Sequence, residues 1–101
     1  MHRKGLNVIM KIDGISVIIP TFNRANKIRK SVESVLNQTY KNLEVIIVDD
    51  NSTDNTKEVL DDINDGRIVY YKLKKNKEPS YARNIGVGLA NYQLIVWKRT
   101  F

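Results

Sequence analysis

The sequence predicts an α/β fold in which a mostly parallel, Rossmann-like sheet is flanked by helices. Short apolar strands alternate with amphipathic helical segments, which is typical of parallel sheets built from helical crossovers. The first two strands are apolar on both faces, as expected for strands that are covered on both sides. The chain has 101 residues and no internal repeat or linker. Residues 15–101 therefore indicate a single domain.

Four strands are predicted from apolar, β-branched runs. They cover residues 15–19, 43–48, 68–73 and 94–97. Pro20 directly follows the first run and is expected to end that strand, because proline cannot donate to a strand ladder. The second run is interrupted only by Glu44 and leads straight into Asp49 and Asp50. The third run alternates in polarity like a strand near the edge of a sheet.

Three helices are predicted between these strands. Asn26 is expected to cap the first helix, whose apolar residues Ile28, Val32, Val35 and Leu36 fall on one stripe. Ser52 or Asp54 is expected to cap the second helix. The third helix covers residues 80–90, and its glycines at 86 and 88 either weaken it or permit close packing.

The charge and composition exclude several classes of function. Lys and Arg outnumber Asp and Glu by 17 to 11, and the excess is densest at Lys72, Lys74, Lys75 and Lys77. No aromatic residues interleave with these lysines, so the run indicates a solvated loop rather than a nucleic-acid partner. The absence of cysteine excludes disulfides and thiolate metal sites and favours a cytoplasmic location.

Residues 1–14 form a basic N-terminal extension. Their short apolar patch is too short for a signal peptide, and no small-residue cleavage site follows it. No stretch of the chain approaches the ~20 apolar residues that a bilayer-spanning helix needs. No transmembrane segment is therefore predicted, and any membrane contact would be peripheral.

A candidate binding site lies where two neighbouring strands end. Ligands of open α/β sheets bind outside the carboxyl ends of the strands. There Asp50 can accept a hydrogen bond from a nucleobase N–H, Phe22 can cover the face of the base, and Arg24 can approach a diphosphate. Purely structural roles compete with these. Asp49, Ser52 and Asp54 can satisfy the turn and the next helix, Phe22 can join the core, and Arg24 can pair with a surface carboxylate.

Other sequence motifs for ligand binding are missing. The oxygen side chains at positions 50, 52 and 54 suggest a calcium loop, but its glycine and closing glutamate are absent. Neither the dinucleotide-binding nor the P-loop glycine pattern occurs. His2 is the only histidine and lies in the N-terminal extension, so histidine-based catalysis is not indicated.

Four ordered motifs resemble the family-2 glycosyltransferases. They are VIIPTFNR at residues 17–24, SVLNQTY at 34–40, EVIIVDDNSTD at 44–54 and YARNIG at 81–86. The resemblance implies a GT-A fold that takes a nucleotide-diphosphate sugar, commonly a uridine diphosphate (UDP) sugar, and transfers the sugar to an acceptor with inversion. The family's common setting is bacterial polysaccharide biosynthesis, which places the protein in the cytoplasm or peripherally at the inner face of the membrane.

The resemblance also implies which residues bind the nucleotide sugar. The set is Pro20, Thr21, Phe22, Arg24, Asp49, Asp50, Arg83 and Asn84. Within it, Asp50 would read the base, while Arg83 and Asn84 would begin a helix that flanks the diphosphate. The lysine-rich loop before that helix would help to hold phosphate.

The sequence departs from the family at its last strand. In the family, that strand leads into an acidic D-x-D motif that holds Mg²⁺ or Mn²⁺ on the diphosphate. Here Trp97 is followed by Lys98, Arg99, Thr100 and Phe101. Residues 15–101 therefore correspond to the N-terminal nucleotide-sugar-binding portion of a truncated GT-A domain. We expect no metal site, no catalytic residue and no transferase activity from this chain alone.

Two other classes of protein remain as alternatives. A receiver-like signalling domain also has apolar strands that end in paired aspartates, but it needs a further aspartate and a lysine at later strands. The predicted third strand ends in lysines, which argues against that class. A non-catalytic module could instead self-associate through sheet surface or a sheet edge that has no covering element.

Overall fold

A computed structural model describes residues 13–75 and 79–100 of the chain. Its strands are β1 (Ile15–Thr21), β2 (Leu43–Asp49), β3 (Ile68–Lys72) and β4 (Leu94–Trp97). Its helices are α1 (Ala25–Leu36), α2 (Thr56–Asp61) and α3 (Pro79–Leu89). Strands and helices alternate along the chain as predicted, and the α/β class is confirmed. Residues 1–12 of the basic extension and Lys77 lie outside the described residues.

All paired strands of the sheet run parallel, in the order β3-β2-β1-β4. The central strand β2 is buried at all seven positions because β1 and β3 flank it and helices cover its faces. Strand β3 lies at one edge of the described sheet, as its alternating sequence predicted. Strand β4 lies at the other edge, where Leu94, Val96 and Trp97 are exposed. Self-association through such a surface stays a prediction.

Two apolar clusters form the core, one on each face of the sheet. One face packs against α1 and α2, where Ile19, Val32 and Ile47 are completely buried. The other face packs against α3 through Ile18 and Ile46. None of the helices in the described part of the chain has the length and apolar character that a bilayer crossing requires.

Pro20 does not end β1, contrary to the prediction. The strand continues to Thr21, and Pro20 pairs with Val48 of β2. The backbone of Ile18 faces β4, since the Lys98 N–H donates to the Ile18 carbonyl at 3.0 Å. Alternate residues face the same side, so the nitrogen of Pro20 also points toward β4. The β1–β4 pairing ends at Ile18, and proline there removes no ladder hydrogen bond.

The predicted helix caps are also corrected by the structure. Helix α1 begins at Ala25, so Asn26 lies inside its first turn, and Arg24 is the capping residue without a side-chain hydrogen bond. Helix α2 is preceded by Asn55 rather than directly by Ser52 or Asp54. The carboxylate of Asp54 nevertheless accepts a hydrogen bond from the first N–H of α2 at 3.1 Å. The prediction is therefore right for the role of Asp54 and wrong for Ser52.

Gly86 brings α3 close to β1. A Cβ atom at this position would lie 2.6 Å from Cγ2 of Ile18, a distance that requires movement of the neighbouring atoms. No atom lies within 4 Å of the equivalent position at Gly88. Of the two glycines, only Gly86 is required for close packing.

Candidate functional site

The loops that follow β1 and β2 are tied together at the carboxyl end of the sheet. Asn23 has a positive φ of 50°, a conformation that asparagine tolerates better than most residues. Its N–H donates to Ser52 Oγ at 2.8 Å, and its Oδ1 accepts from the Thr53 N–H at 2.7 Å. The loops after β1 and β2 therefore lie against each other at the carboxyl edge of the sheet, where the sequence predicted the candidate site.

One carboxylate stabilises the start of both helices that follow these loops. Asp54 Oδ2 accepts from the Ala25 N–H of α1 at 3.0 Å, while Oδ1 accepts from Thr56 N and Oγ1 at the start of α2. Partial burial raises the pKa of Asp54, but these hydrogen bonds outweigh it and leave the pKa below its usual value. A carboxylate at two helix N-termini also interacts favourably with both helix dipoles.

The adjacent residues Asp49 and Asp50 have different environments. Asp49 is completely buried, and its carboxylate accepts from the Ser52 N–H at 2.8 Å, from Ser52 Oγ and from the Tyr70 hydroxyl. Burial raises the pKa of Tyr70 far above its usual value, and the hydrogen bond to Asp49 adds to this effect. Tyr70 therefore remains a donor. Asp50 is only partly buried and borders open space.

That open space is a cleft of about 860 Å³ at the carboxyl ends of β1, β2 and β4. The residues that line it are Pro20, Thr21, Phe22, Arg24, Asp50, Ala82, Arg83, Trp97, Lys98, Arg99 and Thr100. Phe22 is 43% exposed, which excludes the alternative that it belongs to the core. Among the described residues, Thr21 Oγ1 is a buried side-chain oxygen without a hydrogen-bond partner. A buried polar atom without a partner is rare in folded proteins.

Six of the eight predicted site residues line the cleft, and two do not. Asp49 is held inside the protein by Ser52 and Tyr70 and has the structural role that competed with binding. Asn84 is exposed but does not border the cleft. Arg83 does border it from the second turn of α3, because that helix begins at Pro79, whose fixed φ suits a first helical position. The expectation that Arg83 begins the helix is wrong.

The residues after β4 had no predicted role in binding. The Lys98 N–H bonds to β1, and Thr100 Oγ1 donates to the Pro20 carbonyl at 2.9 Å, so this segment continues beside the end of β1. Lys98, Arg99 and Thr100 consequently line the cleft. Their position directly after the last strand could have predicted this location, because ligands bind at the carboxyl ends of parallel strands. By contrast, Lys72, Lys74 and Lys75 of the lysine-rich loop are not in the cleft lining.

The described residues do not fit a site for a divalent metal ion. Mg²⁺ and Mn²⁺ prefer oxygen ligands, with carboxylates prominent among them. The cleft lining contains one carboxylate, Asp50, and four cationic side chains, Arg24, Arg83, Lys98 and Arg99. Elsewhere in residues 13–75 and 79–100, no group of three or more acidic, histidine or cysteine side chains could hold a metal.

The comparison with protein families gives one match over most of the chain. The family model described as glycosyl transferase family 2 matches residues 16–97. A relative from Escherichia coli is 41% identical over 83 residues, which cover 82% of this chain and 33% of the relative. It is the UDP-Glc:alpha-D-GlcNAc-diphosphoundecaprenol beta-1,3-glucosyltransferase WfaP. The chain therefore spans about a third of that relative's length.

Solved structures confirm the GT-A fold. The structure of S. aureus TarS 1-349 in complex with UDP matches with a TM-score of 0.79 and 28% identity, over 85% of this chain and 27% of the TarS 1-349 chain. The mannosyltransferase PcManGT from Pyrobaculum calidifontis, in complex with GDP-Man and Mn²⁺, matches with a TM-score of 0.77 and 25% identity. That match covers 84% of this chain and 26% of the mannosyltransferase.

Proposed function

Because this chain belongs to glycosyl transferase family 2, we propose that its cleft binds the nucleotide diphosphate of a sugar donor. The observation that carries this proposal is the convergence of base-binding and phosphate-binding side chains in one cleft at the carboxyl ends of parallel strands. This is the edge of an open α/β sheet at which ligands bind. Receiver-like signalling is no longer a competing function, given the family match.

Four side chains of the cleft have roles that their chemistry suits. Asp50 accepts a hydrogen bond from the ring N–H of the base, and the exposed ring of Phe22 covers the face of the base. Arg24 and Arg83 donate to the diphosphate, for which the planar guanidinium group is well matched. Asp49 takes part indirectly, because its hydrogen bonds to Ser52 fix the loop from which Asp50 projects.

UDP is the nucleotide that we propose for this cleft. TarS has been crystallised with UDP and with UDP-GlcNAc, and the E. coli relative acts on UDP-Glc. A complete enzyme with this domain would transfer the sugar to an acceptor with inversion, and its setting would be polysaccharide assembly at the inner face of a membrane. The cleft lining does not fit a metal ion, and its one carboxylate, Asp50, is assigned to the nucleobase, so we propose binding without transfer for this chain alone.

The test is a titration of the purified chain with UDP, followed through the backbone amide NMR signals of Phe22, Arg24 and Asp50. We expect saturable shifts at these amides, and none at amides of the opposite, amino end of the sheet. The variant Asp50→Asn should bind UDP about tenfold more weakly, since a charge-assisted hydrogen bond contributes about 1.5–3 kcal/mol. Asp61→Asn, at an exposed site on α2, is the matched control. A folded chain without saturable shifts would refute nucleotide binding.

A further inference from the structure

The segment after β4 brings positive charge to the place where the family's acidic, metal-holding motif is expected. Lys98 and Arg99 directly follow the strand and line the cleft. They are held beside β1 by two contacts that do not use their side chains, from the Lys98 N–H to Ile18 and from Thr100 Oγ1 to Pro20. Both cationic side chains therefore have a fixed backbone beneath them.

Lys98 and Arg99 reach the cleft from a different element than the other two cations. Arg24 lies in the β1–α1 loop and Arg83 lies on α3, so three separate segments contribute cations to the same cleft. A divalent metal ion would meet one carboxylate and four positive side chains there, which repel it. A diphosphate would meet the opposite, because ammonium and guanidinium groups donate directly to phosphate oxygens.

We propose that Lys98 and Arg99, with Arg24 and Arg83, bind the diphosphate directly, so that this cleft takes a nucleoside diphosphate without a divalent metal ion. This inference rests on the proposed nucleotide-binding function. It adds that cationic side chains of the protein, rather than a metal ion, neutralise the charge of the diphosphate. Two properties follow. The diphosphate should contribute much of the affinity, and chelation of divalent metals should leave binding intact.

The binding can be followed with the protein's own fluorescence, because Trp97 is the only tryptophan and lines the cleft. The titrations use UDP, UMP and uridine, each in excess EDTA and in excess Mg²⁺. We expect affinity to fall from UDP to UMP to uridine, and we expect UDP to bind in EDTA at least as tightly as in Mg²⁺. Mg²⁺ bound to UDP would neutralise part of the phosphate charge and so weaken its attraction to the four cations.

The decisive variant is Lys98→Ala combined with Arg99→Ala, because neither substitution removes the backbone and Thr100 contacts that hold the segment. We expect UDP affinity to fall by at least about tenfold, since hydrogen bonds to charged groups are among the stronger ones. Uridine affinity should not change. The matched control is Lys30→Ala combined with Lys41→Ala, which removes the same charge from exposed positions outside the cleft. Calorimetric titration of each variant checks the fluorescence result.

The outcomes separate this inference from the proposed function. If UDP binds only when Mg²⁺ or Mn²⁺ is present, or if the double variant binds UDP as tightly as the control, direct binding by Lys98 and Arg99 is wrong while nucleotide binding stands. If neither UDP nor uridine binds under any condition to the folded chain, the proposed function itself fails. If UDP binds without a metal ion, and the double variant weakens the binding of UDP but not of uridine, the result supports both the proposed function and this inference.

Discussion

The two ends of the sheet use their polar residues differently. At the amino end, the carboxylate of Glu44 accepts from Ser16 Oγ at 2.6 Å, from the Asn91 N–H at 2.7 Å and from Asn91 Nδ2 at 2.9 Å. Ser16 Oγ in turn accepts from the Tyr92 N–H. These donors and acceptors are satisfied within the chain. At the carboxyl end, five charged side chains line an open cleft.

The carboxyl end itself divides into an inner and an outer part. The inner part, Asn23, Asp49, Ser52 and Asp54, is joined by hydrogen bonds that fix the two loops. The outer part consists of the residues that line the cleft. The residues that fix the loops are therefore different from the residues that line the cleft, even though Asp49 and Asp50 are neighbours in sequence. Substitutions should therefore separate stability from binding.

The largest loss of stability is expected from Asp49→Ala. The substitution leaves the Ser52 N–H, the Ser52 hydroxyl and the Tyr70 hydroxyl without their acceptor in a buried place. Each unsatisfied buried donor costs about 1–3 kcal/mol, so we expect the free energy of unfolding to fall by about 3 kcal/mol or more. Urea denaturation at neutral pH measures it. Tyr70→Phe, which removes only one of these donors, should lose about 1 kcal/mol. Equal stability of Asp49→Ala and the parent chain would contradict the inner role of Asp49.

A smaller loss is expected at the amino end from Glu44→Gln. The glutamine offers one acceptor oxygen and an amide donor where a carboxylate accepted three hydrogen bonds, so the free energy of unfolding should fall by about 1–2 kcal/mol at pH 7. Glu33→Gln is the matched control, because Glu33 is half-buried and pairs with Arg29 on the surface of α1. Such a pair contributes at most about 1 kcal/mol.

Glu44→Gln also tests how the free energy of unfolding depends on pH. Burial raises the pKa of Glu44, but the hydrogen bonds from Ser16 and Asn91 outweigh it and hold the pKa below its ordinary value of 4.5. The folded state therefore favours the carboxylate more than the unfolded chain does. Its stabilising effect is complete above pH 4.5 and is lost as the pH falls through the folded-state pKa. The difference in unfolding free energy between the parent chain and Glu44→Gln should narrow on acidification, and a constant difference would show that charge is not involved.

The fold and most of the cleft could be predicted because they depend on local patterns and on topology. The apolar runs of β1 and β2 placed both loops at one edge of the sheet, and six of the eight predicted residues line the cleft there. Asp49 could not be told from Asp50 by position alone. The alternation of side chains and the distant donor Tyr70 turn the first aspartate inward, and that contact joins residues 21 positions apart.

Other features needed the three-dimensional arrangement. Pro20 was predicted to end β1 because the sequence does not show where β4 stops pairing. The nitrogen of Pro20 points toward β4 beyond the last β1–β4 pair, where no N–H is needed. Lys98 and Arg99 enter the cleft because β4 pairs with β1, and these two strands are separated by most of the chain. The start of α1 is stabilised by a residue of the other loop, Asp54, so no cap could be found next to the helix in sequence.

A loss similar to that of Glu44→Gln is expected from Asp54→Ala, which tests whether one carboxylate can hold two loops. The substitution removes the acceptor from the first N–H of both α1 and α2, and losing a helix cap costs about 1 kcal/mol. Because two helices lose their acceptor, we expect about 1–2 kcal/mol in urea denaturation. Asp61→Ala, which breaks only the exposed pair with Lys57, should lose less than about 0.5 kcal/mol. Equal losses from the two variants would mean that the contacts of Asp54 add nothing beyond an ordinary surface charge. In that case Asn23 and Ser52 alone would hold the loops together, and the inner part of the carboxyl end would be smaller than the hydrogen bonds indicate.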